Sequence, residues 1–416
     1  MEYQANVTFP SLPGGKHLLL NGSRTISPYE TWTRIKPLLR TFGITRVGDI
    51  TGLDCIGIDV WIAVRPNSRT LSVAQGKGPD PFSARVSAAM EAIETACAER
   101  PHLALDYATF NEISRAKVVV DMSALPRIRN SLFGVNRPVY WTEAADLIGG
   151  APIWVPYEMV HADATVPWMP GSGSFLTSTN GLASGNNRAE ALLHGICEVV
   201  ERDAIALWEH STEDIQERLL LDLTTVDDPC VLELLRKFHA AEIAVLAWDV
   251  TSDIGLAAVR VIIFDRQSDA LSNPSPAAFG AGCHPNRAVA LVRALTEAAQ
   301  SRLTVISGSR DDFGRSRYLA TQSARALEYY KKLFQISNGS RAFSHLPCWI
   351  GDTVDDDLEH VIRCLSAAGL GQVLAIDLEC TEMPISVVRV IVPGLEGPTE
   401  SPAYVPGERV RALAHG

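Results

Sequence analysis

Apolar residues recur at three- and four-residue intervals in VLELLRKFHAA (231–241) and LEHVIRCLSAAG (358–369), a spacing that predicts amphipathic helices. Each is followed by two short Val/Ile-rich runs bounded by Gly, Pro or Asp, which predict a strand pair. The runs are EIAVLAWDVT and GLAAVRVIIFD in the first case, QVLAIDLEC and ISVVRVIVPG in the second. Residues 29–66 follow the same order: a helical stretch, ITRVGDIT, a turn, then IGIDVWIAVRP. Val259-Arg260-Val261-Ile262 even returns as Val388-Arg389-Val390-Ile391. A helix beside a hairpin buries one face of the sheet. The expected fold is therefore α/β (α+β), a composite domain of repeated helix/β-hairpin units.

Three further helices have a different lead-in, a Gly-rich stretch. They are read from LSVAQGKGPDPFSARVSAAMEAIE, TNGLASGNNRAEALLHGICEVVERDAIALW and GAGCHPNRAVALVRALTEAAQSR. Gly78 precedes Glu91 by the interval that separates Gly185 from Glu198, and Arg188–Glu198 repeats as Arg287–Glu297. Glycine lets backbone N–H groups approach a ligand and a helix N-terminus favours phosphate, so the Gly stretches read as phosphate cradles. Because these helices interleave with the helix/hairpin units, one composite domain is expected over 28–394. A short N-terminal segment (1–27) and a Gly/Pro-rich tail (395–416) flank it, the tail extended and either disordered or folded back over the site. The Pro-rich stretch 130–184 reads as strands plus a long loop leading to the second Gly-led helix.

Glu91 and Glu94 lie three apart on the first of these helices, and Glu198 and Glu201 three apart on the second, followed by Arg202. Residues so spaced share a helix side. Two such pairs facing each other would concentrate negative charge that only cations make tolerable, and hard oxygen ligands with a nucleotide's phosphates suit Mg²⁺. Arg202 would reach the same phosphates. The pattern fits an ordinary amphipathic helix too: Leu192, Leu193, Ile196, Val199 and Val200 form a core stripe opposite Glu190, His194, Glu198 and Glu201. Likewise Arg293 and Glu297 on the third helix are either a surface i,i+4 pair or phosphate-neutralising groups.

Gross composition narrows the classes. The 416 residues are 46% hydrophobic and 20% charged, with a net charge of −11, which argues against a nucleic-acid surface. No apolar run reaches the length of a membrane span, and the N-terminus has no signal-like core, so a cytoplasmic protein is expected. The eight scattered cysteines form no CxxC and read as reduced, mostly buried thiols. Cys283 beside His284 lacks a visible activating constellation.

The first two of the Gly-led blocks, together with RALTEAAQSRLTVISGSRDD from the third helix onward, resemble the signature blocks of the YcaO family, and GITRVGDITGLDCIGIDVWIAVRPNSR resembles more specifically the subgroup encoded beside TfuA proteins. The likeness runs from about Lys16 to Pro393. It implies ATP and Mg²⁺ as cofactors and activation of a peptide backbone amide. Carried over by position, it implies Glu91, Glu94, Glu198 and Glu201 as Mg²⁺ ligands. Lys16, Ser23, Lys77, Asn186, Glu190, Arg202, Arg293 and Arg302 fall around the nucleotide, with Gln300 in the third block. His194 is a candidate proton acceptor, although a plain surface histidine fits as well. The tail VPGERVRALAHG lacks the PxPxP ending of azoline-forming members, and no fused peptide-recognition domain precedes the first block. Both favour thioamide formation on a precursor peptide, with a TfuA-like partner expected and a sulfide donor and a homodimer as candidates. Azoline formation at Cys, Ser or Thr and a non-catalytic nucleotide-binding scaffold are the alternatives.

Overall fold

A computed structural model describes residues 17–19, 22–266, 276–312, 324–335, 339–378 and 383–413. A two-stranded ribbon, β1 (His17–Leu19) and β2 (Gly22–Arg24), leads to α1 (Pro28–Ile35). The first three-stranded sheet follows: β3 (Arg46–Asp49), β4 (Asp59–Val64) and β5 (Val73–Gly78), running into α2 (Pro81–Glu99). Next come β6 (Asp106–Ala108), α3 (Phe110–Ile113), β7 (Val139–Asp146), β8 (Pro152–Pro156) and β9 (Leu182–Gly185), which opens α4 (Arg188–Glu209). Beyond α5 (Glu213–Arg218), β10 (Leu221–Asp222) and α6 (Pro229–Ala240) lies the second three-stranded sheet. It comprises β11 (Ile243–Asp249), β12 (Ala257–Asp265) and β13 (Ala277–His284), and ends in α7 (Arg287–Ser307). The rest is α8 (Ala324–Leu333), β14 (Arg341–Ala342), α9 (Val354–Ala367), β15 (Leu374–Asp377), β16 (Ser386–Ile391) and α10 (Glu408–Leu413). The mixed α/β architecture and the three helix-then-hairpin units are as the periodicity predicts.

One arrangement repeats three times: a strand carrying small residues, then a long helix lying on it. β5 carries α2, β9 carries α4, and β13 carries α7. The glycines make this contact possible. A Cβ on Gly76 would sit 1.9 Å from Ala88 N, and one on Gly280 2.1 Å from Ala294 O. They are therefore not phosphate cradles, as the sequence had suggested, but points where helix backbone rests directly on strand. The helix N-termini are closed by their own side chains: Asp80 accepts from Phe82 N and Ser83 N, Asn187 from Glu190 N, and Asn286 from Ala288 N.

Each helix also touches the next unit's strand, α2 against β9, α4 against β13 and α7 against β5, so the three units close a ring. The unit of β9 and α4 is assembled out of chain order. β16, near the C-terminus, pairs antiparallel with β9 in register Val387↔Ser184, while β15 pairs with both β16 and β7. The Pro-rich stretch supplies β7, β8 and the loop before β9, as expected.

The tail folds back. Glu396 N donates to Asp203 Oδ1 at 3.0 Å and Arg409 Nε to the same oxygen at 2.9 Å, which fixes α10 against α4. Glu396 is itself buried, accepting from Tyr404 Oη, Gly407 N and Val410 N. One expectation about the cysteines is corrected: Cys97 is disulfide-bonded, whereas Cys55, Cys197, Cys230, Cys283, Cys348 and Cys364 are free, with Cys55 and Cys348 exposed. Spacing along the chain shows only local clusters and misses a bond made by folding. Cys380 lies outside the described residues.

Candidate active site

The ring of helices encloses a cavity of about 460 Å³, and all four paired carboxylates line it. Glu91 and Glu94 come from the middle of α2, Glu198 and Glu201 from the middle of α4. The pairs are thus walls of one cavity and not separate solvated faces. Ser184, on β9, donates to Glu94 Oε1 from its backbone at 2.9 Å and from its hydroxyl at 2.5 Å. The backbone of Gln75 on β5 favours the ionised form of Glu91.

Burial dominates the titration of these groups. It raises Glu94 to about 8 against the Ser184 hydrogen bonds, with Glu91 and Glu198 adding repulsion. Glu198 is pushed up to about 7 and Glu91 to about 6 for the same reason, opposed by Arg202 and by Lys77 respectively. Glu201 is raised as well, first by burial and then by Glu297. Burial therefore disfavours holding all four carboxylates ionised unless cations enter the cavity. Among the described residues no group of three or more His, Cys, Asp or Glu is gathered closely enough to hold a metal unaided. Mg²⁺ fits that arrangement, since it is bound by one or two carboxylates together with phosphates and water.

Cations interleave with the acids. Lys77 on β5 pairs with Glu297 on α7, and Arg293 lines the same wall. Arg293 and Glu297 are thus cavity groups and not a surface pair. Burial acts to raise Glu297, but Lys77 and Arg202 outweigh it and leave that carboxyl below its usual value. Burial would lower Arg202, yet Glu201, Glu297, Glu400 and Glu198 hold its guanidinium more firmly protonated than usual. Its Nη1 meets Glu400 Oε1 at 3.2 Å, so the folded-back tail reaches the site. Glu400, like Arg24 and Arg310 on the cavity wall, had no signal in sequence spacing.

Other expected residues take less direct positions. Glu190 is fully buried, not on a polar outer face. One carboxylate oxygen accepts from Thr25 N and Thr25 Oγ1, both at 2.6 Å, and the other from Asn186 N and Asn186 Nδ2, both at 2.9 Å. Asn186 Oδ1 in turn accepts from Thr31 Oγ1 at 2.8 Å. The pair fastens the segment after β2, and α1, to the start of α4, and both residues line the cavity. His194 also lines the cavity and is no surface histidine. Burial first, then Arg293, Arg24 and Lys77, hold its ring well below the usual value and so neutral.

Arg302 does not line the cavity. It lies nine residues beyond Arg293, half a turn around the helix. There it pairs with Asp54 Oδ2 at 3.1 Å and Asp265 Oδ2 at 3.4 Å, in the packing of α7 on its outer side. Lys16 lies outside the described residues; Ser23 falls in β2, with its side chain outside them.

Comparison with known proteins identifies the family. The family model described as "YcaO cyclodehydratase, ATP- and Mg²⁺-binding" matches residues 75–396. An uncharacterized protein in the tfuA 3′ region of Rhizobium leguminosarum bv. trifolii is 39% identical over 90% of this chain and 88% of its own. An uncharacterized protein of Methanothermobacter thermautotrophicus is 34% identical over 94% of this chain and 99% of its own. Among solved structures, YcaO from Methanopyrus kandleri bound with AMPPCP and Mg²⁺ is similar in fold, with TM-score 0.73 and 24% identity, covering 92% of this chain and 95% of that one. A heterocyclase in complex with substrate and cofactor has TM-score 0.75 and 20% identity over 90% of this chain, which spans only 53% of that longer chain. No described helix is long and apolar enough to cross a membrane.

Proposed function

Since the chain belongs to the YcaO family, and by its likeness to the tfuA-region protein to the TfuA-associated subgroup, we propose that it activates a peptide backbone amide with ATP and Mg²⁺ for thioamide formation, assisted by a TfuA-like partner. ATP and Mg²⁺ are the cofactors that go with the family. The observation that carries the reading is the single cavity in which two carboxylate pairs, Lys77, Arg202 and Arg293 face one another.

The chemistry needs little acid–base apparatus. An amide oxygen is a poor leaving group. Hydrosulfide adds to the amide carbon and forms the C–S bond; the oxygen takes the γ-phosphoryl group and departs as phosphate, breaking the C–O bond. The hydrogen of HS⁻ ends on the phosphate, and the products are thioamide, ADP and phosphate. Mg²⁺ supplies charge neutralisation at the phosphates when bound. Glu91, Glu94, Glu198 and Glu201 would hold it, and Arg202 and Arg293 would orient phosphate oxygens, with Arg202 suited to bidentate contact. Positioning and electrostatics of this kind supply most of the catalysis in phosphoryl transfer. His194 lines the same cavity, but burial and the neighbouring cations disfavour its protonation, which argues against the proton-acceptor role.

The test is product mass. Purified protein with its TfuA-like partner, ATP, Mg²⁺, sulfide and the precursor peptide encoded nearby should yield a peptide heavier by about sixteen daltons per event, with ATP consumed in step. A product lighter by about eighteen daltons, formed without sulfide at Cys, Ser or Thr, would establish cyclodehydration instead.

A further inference from the structure

The cavity has two ends. At one, Asn186 and the Thr25 segment meet α1, and Tyr29 of α1 packs edge-on against Phe82 at the start of α2. The other end lies near Thr95, twelve residues further along α2 than Ser83, or roughly 18 Å. Leu71, Val73, Thr95 and Thr179 line it.

The edge of β5 runs along this cavity. In an antiparallel ladder a residue's N–H and C=O point to one side, and successive residues alternate. Thr45 N donates to Val64 O on the β3 side, and Arg65 N to Ser72 O on the β5 side. With the register Ala63↔Ala74, Trp61↔Gly76 and Asp59↔Gly78, those three β5 residues bond β4. Val73, Gln75 and Lys77 therefore turn their main-chain groups away from the sheet.

Side chains already serve two of the three. Lys77 N donates to Ser87 Oγ at 3.4 Å, and Gln75 O accepts from Gln300 Nε2 at 2.6 Å. Ser87, Glu91 and Thr95 follow at four-residue steps on α2, so Val73 falls beside Thr95. That hydroxyl is turned back onto Glu91 O at 2.8 Å and does not cap the strand. Among the described residues, Val73 alone of the three has neither its N–H nor its C=O met by a side chain, and it lines the cavity.

We propose that this end is a peptide subsite, in which an extended substrate segment pairs with the open edge of β5 through the N–H and C=O of Val73. The inference rests on the reading above that the substrate is a peptide backbone. Strand addition of this kind recognises main chain and tolerates sequence. Val73 is two residues of strand from Gln75, roughly 6–7 Å. The amide next to the paired substrate residue thus comes within reach of Glu91 and of phosphates held by the carboxylate pairs. The nucleotide and the peptide enter from opposite ends and meet at the centre.

The probe is an acetylated, amidated heptapeptide of alternating Gly and Thr, titrated calorimetrically into protein saturated with Mg·AMPPCP. Val73→Pro removes only the outward N–H, and proline is accepted at the first residue of a strand. It should weaken the heptapeptide about tenfold, the worth of one hydrogen bond with its partner left unpaired, while Val73→Ile binds it as the wild type does. In wild-type protein the heptapeptide should slow amide exchange at Val73 and leave Gln75 and Lys77 unchanged, a readout that holds even if the proline variant folds poorly. Absent heptapeptide binding, a Val73→Pro effect below twofold in a folded variant, or unchanged exchange at Val73 overturns the subsite. If the wild type fails to bind Mg·AMPPCP, the functional reading itself falls and the subsite with it.

Discussion

Glu94→Gln should make the nucleotide-free protein more stable while removing its activity. Glutamine copies the protonated acid and keeps an oxygen for both Ser184 donors. The wild-type carboxyl ionises at about 8 when folded against an ordinary 4.5. A folded value raised above the unfolded one means its stabilising contribution is complete below pH 4.5 and is lost as pH rises towards 8. Between pH 4.5 and 7 that loss amounts to about 3 kcal/mol at most. Glu94 stands on the wall of a cavity water can enter, so screening reduces this, and about 1–2 kcal/mol is the expected gain for the variant at pH 7. Near pH 4.5 the gain should vanish. Urea unfolding of both proteins at pH 4.5 and pH 7 measures it, and calorimetry with Mg·AMPPCP should show binding lost or weakened more than tenfold as a ligand charge disappears. A variant less stable than wild type at pH 7, or one with undiminished Mg·AMPPCP affinity, would refute the account of a charge-strained metal site.

Arg202→Lys keeps the charge but not the bidentate fork, so Mg·AMPPCP affinity should fall about tenfold or more by calorimetry; a change within twofold would reduce Arg202 to a partner of Glu400. Gly76→Ala places a methyl 1.9 Å from Ala88 N, and thermal unfolding should register a loss of about 3 kcal/mol or outright failure to fold. Arg302→Met leaves the buried Asp54 carboxylate and the half-buried Asp265 without that guanidinium and should cost about 3 kcal/mol in chemical unfolding. Folded Arg302→Met at low temperature should still bind Mg·AMPPCP as tightly as wild type, and tenfold weakening would return Arg302 to the nucleotide site.

The sequence by itself determined whatever depends on neighbours a few residues apart. The 3.6-residue spacing of apolar positions marked α6 and α9, the alternating Val/Ile runs marked their hairpins, and the three-residue spacing of Glu91/Glu94 and Glu198/Glu201 put each pair on one helix side. The half-turn that removes Arg302 from the cavity was legible in the same arithmetic, since nine residues separate it from Arg293. What the glycines of GKG and GAG do was not. A Gly-rich stretch before a helix reads equally as a ligand cradle or as a close helix–strand contact, and only the position of Ala88 over Gly76 distinguishes them. Pairings across the chain were invisible for a related reason. The Lys77–Glu297 pair spans 220 residues, the β16–β9 register joins a C-terminal hairpin to a mid-chain strand, and Glu400 reaches Arg202 from a tail that carries no periodicity. Local side-chain spacing is set by helix and strand geometry, which each segment carries within itself. Which segments share a cavity wall is set by the burial of complementary surfaces, and those come into being only when the ring of three strand–helix units closes.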